Sequence, residues 1–418
     1  MRRRIIATFL VFLSLMVASM PAPGKAATLK SCKEILAKYP NGVAKDLVGV
    51  NNVRAIGYKK PEINAGVYNG ARKLDRYKDN TVCVVEANKR KVLPGLPTPA
   101  VTSANQARVN GNRAVSTLLV EKLEDLGGTC MVAMRDEKII GEWYPGGRKA
   151  SDTTIAFSSG KPLTTAVIGA AVRLGRLNID QSVADFIPEF KNTPKAAITI
   201  RHLLTHTSGL KASQHGDAML ASALNSAALK VPLESVPGKK YNYASSQLGL
   251  QLLVLVVERA VGEKFTTFTD KYVLRPAGMA STFYRTDKVN PTTGEEIGDP
   301  WLAGGLRTTC RDLARLAQLF QSKGQWDGRR IFSTNFAELA TSVQVKEGGY
   351  GFLLSTGANF SHGGTCGQMM AKMSSGVTYA MMSSTLLLTP VFEPQLCTND
   401  RYEKVVAAAA AIATRLNS

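Results

Sequence analysis

The sequence has 418 residues, of which 44% are hydrophobic and 7% aromatic, and its formal net charge is +20. A chain of this length and hydrophobic content can bury a large core and divide it between more than one domain. It contains neither a Cys-x-x-Cys pair nor a spaced His/Cys cluster, which argues against a zinc site, and no cofactor is expected.

The first 26 residues have the pattern of a secretory signal peptide. Arg2-Arg3-Arg4 precedes a short apolar run, residues 5–18, and Gly24-Lys25-Ala26 offers a small-x-small cleavage site. The run is shorter than the roughly 20 residues that a membrane-spanning helix needs. We therefore expect a bacterial protein that is secreted or held in the periplasm or cell envelope, with no transmembrane anchor once the signal is removed.

Export to an oxidising compartment makes disulfide bonds the expected state of the six cysteines. Cys32 and Cys83 stand at the two ends of one short segment, which suggests that they pair. The other four cysteines then allow three arrangements, and the sequence does not choose among them. These four are Cys130, Cys310, Cys366 and Cys397.

Residues 27–87 form a separate basic module in this interpretation. Removal of residues 1–26 lowers the net charge to +16, and residues 27–91 hold half of that excess, with fourteen Lys/Arg against six Asp/Glu. Such a surface attracts polyanions, which outside the cell are anionic cell-wall polymers rather than a specific nucleic acid. A charge that serves only solubility is the alternative.

The module resembles Excalibur domains, which are small extracellular bacterial modules associated with calcium. The resemblance covers residues 28–86 and is carried by Ser31-Cys32-Lys33-Glu34, Tyr39-Pro40-Asn41-Gly42-Val43, Val67-Tyr68-Asn69 and the closing segment 74–83. The acidic run of the family is depleted here, because Asp75 and Asp79 remain but Tyr77 stands where an aspartate is usual. Calcium prefers six or more oxygen ligands, so Asp75 and Asp79 are weak candidates for a metal site.

Residues 88–112 contain three prolines among Ser, Thr and Asn and predict a linker. Residues 113–418 have the pattern of a globular domain, with predicted strand pairs near both ends, 130–135 with 138–144 and 368–373 with 378–383. The predicted helices span 114–126, 158–174, 201–205, 247–260, 311–322 and 405–416. This order predicts an α+β fold in which helices flank an antiparallel sheet.

A serine and a lysine lie three residues apart at the mouth of the 158–174 helix. In Ser158-Ser159-Gly160-Lys161 this spacing is about one helical turn, so Lys161 can activate Ser158 as a nucleophile. Ser208-Gly209-Leu210-Lys211 repeats the spacing, and chance supplies about one or two such matches in a chain of this length. Other residues must therefore distinguish the two.

Two later segments supply candidate partners. Tyr243 immediately precedes the 247–260 helix, and the positive charge of Lys161 would lower the pKa of a phenol beside it. His362-Gly363-Gly364-Thr365 lies just before a predicted strand, where glycines let a substrate approach the backbone. Taken singly, Tyr243 is more often a buried aromatic residue and His362 a structural imidazole.

The order Ser-x-x-Lys, Tyr-x-Asn/Ser and His/Lys-x-Gly resembles the serine β-lactamase and penicillin-binding-protein superfamily. Residues from about 113 to 418 resemble its class C-like branch, which includes D-aminopeptidases, D-alanyl-D-alanine carboxypeptidases, esterases and 6-aminohexanoate-dimer hydrolase. The supporting segments are 202–210, 237–243 and 304–309. The resemblance implies a β-lactamase/transpeptidase-like α+β fold with an all-α subdomain, and it makes 208–211 a structural element.

The resemblance also implies roles for individual residues. Ser158 would be the nucleophile, Lys161 its activator and Tyr243 the general acid and base. His362 would take the place of the positively charged residue of the third motif. The backbone N–H groups of Ser158 and Thr365 would form the oxyanion hole, and the substrate would bind near Gly364, Thr365 and Ser245.

Two departures from the family pattern bear on the substrate. Ser245 replaces the asparagine common in the second motif, and the imidazole of His362 is mostly neutral near pH 7. Both point away from efficient β-lactam hydrolysis. We expect an exported serine hydrolase that cleaves a small ester, amide or peptide through a Ser158 acyl-enzyme. The alternatives are a β-lactamase or D-alanyl-D-alanine carboxypeptidase, and a catalytically inactive cell-wall-binding protein.

Overall fold

The computed structural model of this protein describes residues 31–45, 62–71, 73, 81–83, 127–144, 148–213, 223–287, 298–383, 404 and 407–411. The described residues up to 83 belong to one compact unit, and those from 127 onward belong to a second, larger unit. Several predictions lie outside the described residues: the signal peptide, the linker 88–112, the helix 114–126, and the metal candidates Asp75 and Asp79.

The described part of the small unit has two helices and three very short strands. The helices are α1 (Cys32–Lys38) and α2 (Ala65–Gly70), and the strands are β1 (Val43–Ala44), β2 (Glu62–Ile63) and β3 (Thr81–Val82). Strand β1 is central, parallel to β2 and antiparallel to β3. A disulfide joins Cys32 to Cys83 across 51 residues, which confirms the predicted pairing. Because so small a core buries little apolar surface, this bond contributes a large part of its stability.

The large unit is built on a six-stranded antiparallel sheet. Its strands are β4 (Gly128–Arg135), β5 (Lys138–Trp143), β11 (Ser355–Thr356), β12 (Phe360–Gly364), β13 (Gln368–Lys372) and β14 (Thr378–Ser383), in the order β11-β12-β13-β14-β4-β5. Both predicted strand pairs are therefore confirmed, and β4 from one end of the unit pairs with β14 from the other.

Two smaller sheets complete the strands. Strands β6 (Thr154–Ile155), β7 (Phe283–Tyr284) and β8 (Leu306–Thr308) form an antiparallel sheet with β8 in the middle. Strands β9 (Gln325–Trp326) and β10 (Arg329–Arg330) form a hairpin.

The predicted helices are present wherever the structure describes them. They and the further helices are α3 (Lys161–Arg173), α4 (Ile200–Leu204), α5 (Leu224–Lys230), α6 (Ser246–Gly249), α7 (Leu252–Val261), α8 (Phe265–Thr269), α9 (Cys310–Gln321) and α10 (Thr334–Thr341). Residues 407–411 are also helical, within the predicted 405–416 helix. The prediction for 247–260 was a single helix, whereas the structure divides it into α6 and α7.

The start of α3 also differs from the prediction. A 3-10 turn, Phe157–Gly160, carries Ser158, and the α-helix begins only at Lys161. Pro162 has no N–H and fixes its own φ, so it fits only the first turn of an α-helix and prevents regular helix from extending back through Ser158. Ser158 therefore stands in a tighter turn ahead of the helix.

The sheet is covered on both faces. Side chains of β4 alternate between them, with Val132 and Met134 in the main core and Met131 and Ala133 in a second cluster that includes Ala409. A disulfide joins Cys130 of β4 to Cys310, the first residue of α9, and ties this helix to the sheet. Among the described residues no single helix is long and apolar enough to cross a membrane, although α7 and the bent segment Tyr243–Gly249 before it reach that length and composition together.

Candidate active site

The candidate nucleophile sits in a turn with little freedom to move. Phe157, just before Ser158, has a φ of +47°, which is rare for a bulky residue. The Ser159 hydroxyl donates to Ala156 O at 2.7 Å, and a Cβ on Gly160 would come within 2.7 Å of Leu306 Cβ. Such strain in a tightly packed turn is typical of functional sites, where the surrounding structure holds a reactive group in place.

The geometry brings Lys161 to Ser158 as the sequence predicts. Lys161 Nζ lies 2.7 Å from Ser158 Oγ, and the lysine side chain has no solvent exposure. Burial removes water from the ammonium group and lowers the pKa of Lys161 to about 7. A large fraction of this amine is thus unprotonated at neutral pH and can accept the Ser158 proton.

Tyr243 reaches the same lysine from a distant part of the chain. It lies in the 3-10 turn Tyr243–Ser245, and its hydroxyl is 3.1 Å from Lys161 Nζ. The expectation that Lys161 lowers the pKa of this phenol is wrong, because burial raises the pKa of Tyr243. Desolvation penalises the phenolate, and a lysine that is itself largely neutral offers little opposing charge. Tyr243 is therefore a neutral phenol.

His362 completes the group from β12. Its Nε2 is 3.2 Å from the Tyr243 hydroxyl, and its Nδ1 is 2.8 Å from Leu353 O. Burial and the neighbouring Lys161 charge lower the pKa of His362 to about 3, against the smaller opposing effect of the Leu353 contact. His362 is neutral at pH 7 and does not supply the positive charge of the family's third motif.

Gly364 brings the end of β12 against the nucleophile turn. A Cβ at this position would lie 2.5 Å from Ala156 O and 3.1 Å from Ser159 N, so only glycine allows this approach. Thr365 follows directly in the 3-10 turn Thr365–Gly367. The oxyanion-hole roles of the Ser158 and Thr365 N–H groups stay predictions.

Ser245 has a structural contact of its own in the turn that carries Tyr243. Its hydroxyl donates to Asn242 O at 2.7 Å and the side chain is buried, so this group closes the turn that presents Tyr243. Its predicted contact with the substrate stays a prediction. Within the described ranges, no group of three His, Cys, Asp or Glu side chains is arranged to hold a metal ion.

The sequence did not single out two residues behind this group, His206 and Tyr350. His206 Nε2 is 3.0 Å from the Tyr350 hydroxyl, which is 3.4 Å from His362 Nδ1. His206 lies in the 202–210 segment that supports the resemblance, and Tyr350 lies in no motif. The one available signal is that His206 is the second histidine, after His202, in an otherwise apolar and hydroxyl-rich segment.

Taken together, the geometry provides what acyl transfer needs. The Ser158 hydroxyl has a base with a pKa near neutrality at 2.7 Å, and that base contacts a neutral phenol that can donate a proton. A strained turn and a glycine strand meet beside the nucleophile.

A sequence profile of the Beta-lactamase family matches residues 117–393. The 6-aminohexanoate-dimer hydrolase of Paenarthrobacter ureafaciens is 22% identical over 266 residues, which are 58% of this chain and 66% of the relative. The esterase EstB of Burkholderia gladioli is 30% identical over 142 residues, which are 28% of this chain and 35% of the relative.

The matched part of this chain thus spans no more than about two thirds of the curated relatives. Among solved structures, EstCE1, a hydrolase with promiscuous acyltransferase activity, aligns with a TM-score of 0.56 at 19% identity, covering 74% of this chain and all of that one. A penicillin-binding protein homologue from Pyrococcus abyssi aligns with a TM-score of 0.53 at 18% identity, covering 65% of this chain and 73% of that one. At these identities the likeness supports the fold.

Proposed function

Because this chain belongs to the β-lactamase family of serine hydrolases, which includes esterases and amidases, we propose that it cleaves small uncharged esters or amides through an acyl-enzyme on Ser158. The observation that carries the proposal is the buried contact of 2.7 Å between Lys161 Nζ and Ser158 Oγ. Burial makes Lys161 a base near neutral pH and thereby makes Ser158 a nucleophile.

Acylation uses both partners of Lys161. The Ser158 proton passes to Lys161 Nζ as Oγ attacks the carbonyl carbon and the carbonyl electrons move to oxygen. When the tetrahedral intermediate collapses, Tyr243 donates its proton to the leaving oxygen or nitrogen. Lys161, 3.1 Å from the Tyr243 hydroxyl, then returns the proton to Tyr243, so both groups regain their starting state. Water releases the acyl group by the same steps in reverse.

The charge of the site supports an uncharged substrate. His362 stands where the family carries a positive residue, but its pKa of about 3 leaves it neutral at working pH. Above pH 7 the pKa of Lys161 also favours its neutral form. A carboxylate brought beside these groups would lose its hydration without gaining a permanent cation in return. This favours simple esters and amides over carboxylate-bearing β-lactams.

The proposal is tested by intact-mass measurement and turnover. Incubation with p-nitrophenyl acetate is expected to give Ser158-dependent release of p-nitrophenol, and Ser158→Ala to abolish it. Ser159→Ala is the matched control, because it removes the neighbouring buried hydroxyl, which donates to Ala156 O, and leaves the nucleophile. A fluorogenic penicillin measured in parallel should acylate the protein far more slowly. Absence of any Ser158-dependent turnover with acetyl, butyryl and anilide donors would refute the proposal.

We further propose that the protein is exported and that its basic module contacts anionic cell-wall polymers. The N-terminal pattern, the two disulfides and the excess of +8 in residues 27–91 support this. The test is sedimentation of the mature protein with purified cell walls across a salt series. Binding should weaken steeply with salt and should be lost when residues 27–91 are deleted. Equal binding by both forms would contradict the role of the module.

A further inference from the structure

A buried set of hydrogen-bonding groups continues from the Tyr243 hydroxyl beyond its contact with Lys161. It comprises His362, the Leu353 carbonyl, Tyr350 and His206, and the proposed chemistry uses none of the last three. His206, Tyr350 and His362 are exposed by only 1%, 2% and 3%. Polar groups this deeply buried are nearly always hydrogen-bonded, and the direction of each bond follows from which atoms can donate and which can only accept.

The Leu353 carbonyl determines where the His362 proton resides. A carbonyl oxygen only accepts, so the 2.8 Å contact to His362 Nδ1 requires a proton on Nδ1. A neutral imidazole carries one N–H, and its Nε2 is then an acceptor. The Tyr243 hydroxyl, 3.2 Å from Nε2, must donate to it. The Tyr243 oxygen is left to accept from Lys161, and the lone pair of Lys161 is left for the Ser158 proton.

A hydrogen bond from Tyr350 to His362 Nδ1 would reverse the His362 tautomer, and His206 prevents it. The Tyr350 hydroxyl lies 3.4 Å from His362 Nδ1, and if it donated there the imidazole would have to move its proton to Nε2. Tyr243 would then lose its acceptor. His206 Nε2 lies closer to the Tyr350 hydroxyl, at 3.0 Å, and we assign it as the acceptor of that hydrogen bond. This assignment places the His206 proton on Nδ1, and burial lowers the pKa of His206 and so favours the neutral imidazole that it requires.

We propose that His206 and Tyr350 are positioning residues which, with the Leu353 carbonyl, hold His362 in its Nδ1–H tautomer. In the resting enzyme the Tyr243 hydroxyl then donates to His362 and leaves the lone pair of Lys161 free for the Ser158 proton. The proposal rests on the hydrolase function argued above. In this arrangement the hydrogen bonds run in one direction, from Ser158 through Lys161, Tyr243 and His362 to Leu353 O.

The backbone supports this assignment. His206 and Leu353 have φ values of +55° and +53°, conformations that non-glycine residues adopt only when the surroundings enforce them. Leu353 N–H donates to Leu204 O at 2.9 Å, which ties the two segments together. The His206 carbonyl accepts from Asn242 N–H at 2.8 Å, next to Tyr243. The segment around His206 therefore positions both the imidazole that accepts from Tyr350 and the turn that carries Tyr243.

Nitrogen NMR tests the tautomers without any substrate. The chain has four histidines, so the full-length protein labelled with ¹⁵N-histidine gives few signals, which single substitutions assign. His362 and His206 should both show the neutral Nδ1–H form at pH 7. His202 is an internal control of the opposite tautomer, because its Nδ1 accepts from Thr199 N–H at 3.2 Å. His362 as the Nε2–H form, or charged, would overturn the proposal even if the protein is an active hydrolase.

Kinetics with p-nitrophenyl acetate supply the second test. His206→Phe keeps a ring but removes the acceptor, so Tyr350 can donate to His362, and kcat should fall about 10- to 100-fold with KM little changed. Adding Tyr350→Phe removes the competing donor and should restore most of the loss. Tyr284→Phe, which deletes a buried hydroxyl that contacts Thr164, is the matched control and should leave kcat near that of the parent. A double variant as slow as His206→Phe would overturn the proposal.

Discussion

Lys161 Nζ lies 2.7 Å from Ser158 Oγ in a position that solvent does not reach. The burial of Lys161 has two consequences. Removing water from the amine makes it a base near neutral pH, and the same desolvation lowers the free energy of unfolding when the amine is charged, below that pH. Activity and stability should therefore both carry the titration of this residue.

The activity should rise with pH through about 7. Lys161 accepts the Ser158 proton only when it is unprotonated, and its pKa is about 7. At higher pH the rate should stay level up to pH 10, because burial raises the pKa of Tyr243 and the phenol keeps the proton it must donate. The measurement is kcat/KM for p-nitrophenyl acetate between pH 5 and pH 10, corrected for spontaneous hydrolysis. A profile that is flat through neutrality would contradict the role of Lys161 as the base.

Lys161→Met should abolish turnover and stabilise the protein at neutral pH. The folded-state pKa of Lys161 lies below its ordinary value of 10.5, so between about pH 7 and 10.5 the unfolded chain binds more protons and stability rises with pH. Below pH 7 the full penalty is present. The advantage of Met over Lys should thus be largest below pH 7 and shrink by about 3–5 kcal/mol toward pH 10.5.

Urea unfolding of both proteins at pH 6.5, 8 and 9.5 measures this difference. The comparison cancels the other titrating groups, because both proteins share them. Lys211→Met provides the matched control, since Lys211 is the lysine of the second Ser-x-x-Lys match and is exposed, so the same substitution there removes no buried amine. A stability difference at Lys161 that does not change with pH would show that the folded-state amine is not perturbed.

The fold and the four central side chains could be predicted because each corresponds to a short pattern in the sequence. Short apolar runs at 130–135 and 378–383 indicate strands, and the structure buries their two faces in different clusters. The order of motifs identifies Ser158, Lys161, Tyr243 and His362. The Cys130–Cys310 bond corresponds to no such pattern, because its partners are 180 residues apart and meet only in the folded sheet and helix.

The charge states were harder to predict than the residues. Spacing alone suggests that Lys161 is charged and lowers the pKa of Tyr243, whereas burial lowers the pKa of the lysine and raises that of the phenol. Desolvation depends on every element packed around the site, which no short motif reports. The contact between His206 and Tyr350 could not be predicted either, because the two residues are 144 positions apart and no local pattern connects them.

Gly364→Ala should strongly reduce activity, and the cause is steric. A methyl group there would lie 2.5 Å from Ala156 O and 3.1 Å from Ser159 N, so β12 or the nucleophile turn must move. We expect kcat to fall at least about 100-fold, as small misplacements of catalytic groups do, and stability to fall by about 1–3 kcal/mol. Gly357→Ala is the control, because nothing lies within 4 Å of its added Cβ. Normal kcat in Gly364→Ala would show that β12 can retreat from Ser158 without consequence.

Removal of the Cys130–Cys310 disulfide should destabilise the large unit more than any single substitution above. The bond closes 180 residues, and the chain-entropy relation for a loop of that length gives about 5 kcal/mol. Cys130→Ala/Cys310→Ala measured by urea unfolding under non-reducing conditions should lose most of that amount, with activity followed as a second probe. Cys32→Ala/Cys83→Ala removes the bond that closes a loop of 51 residues in the small unit and should leave the midpoint for loss of activity unchanged. An equal shift of that midpoint in both double variants would contradict the separate stability of the two units. An unchanged midpoint in both would contradict the entropic role of the bond that ties α9 to β4.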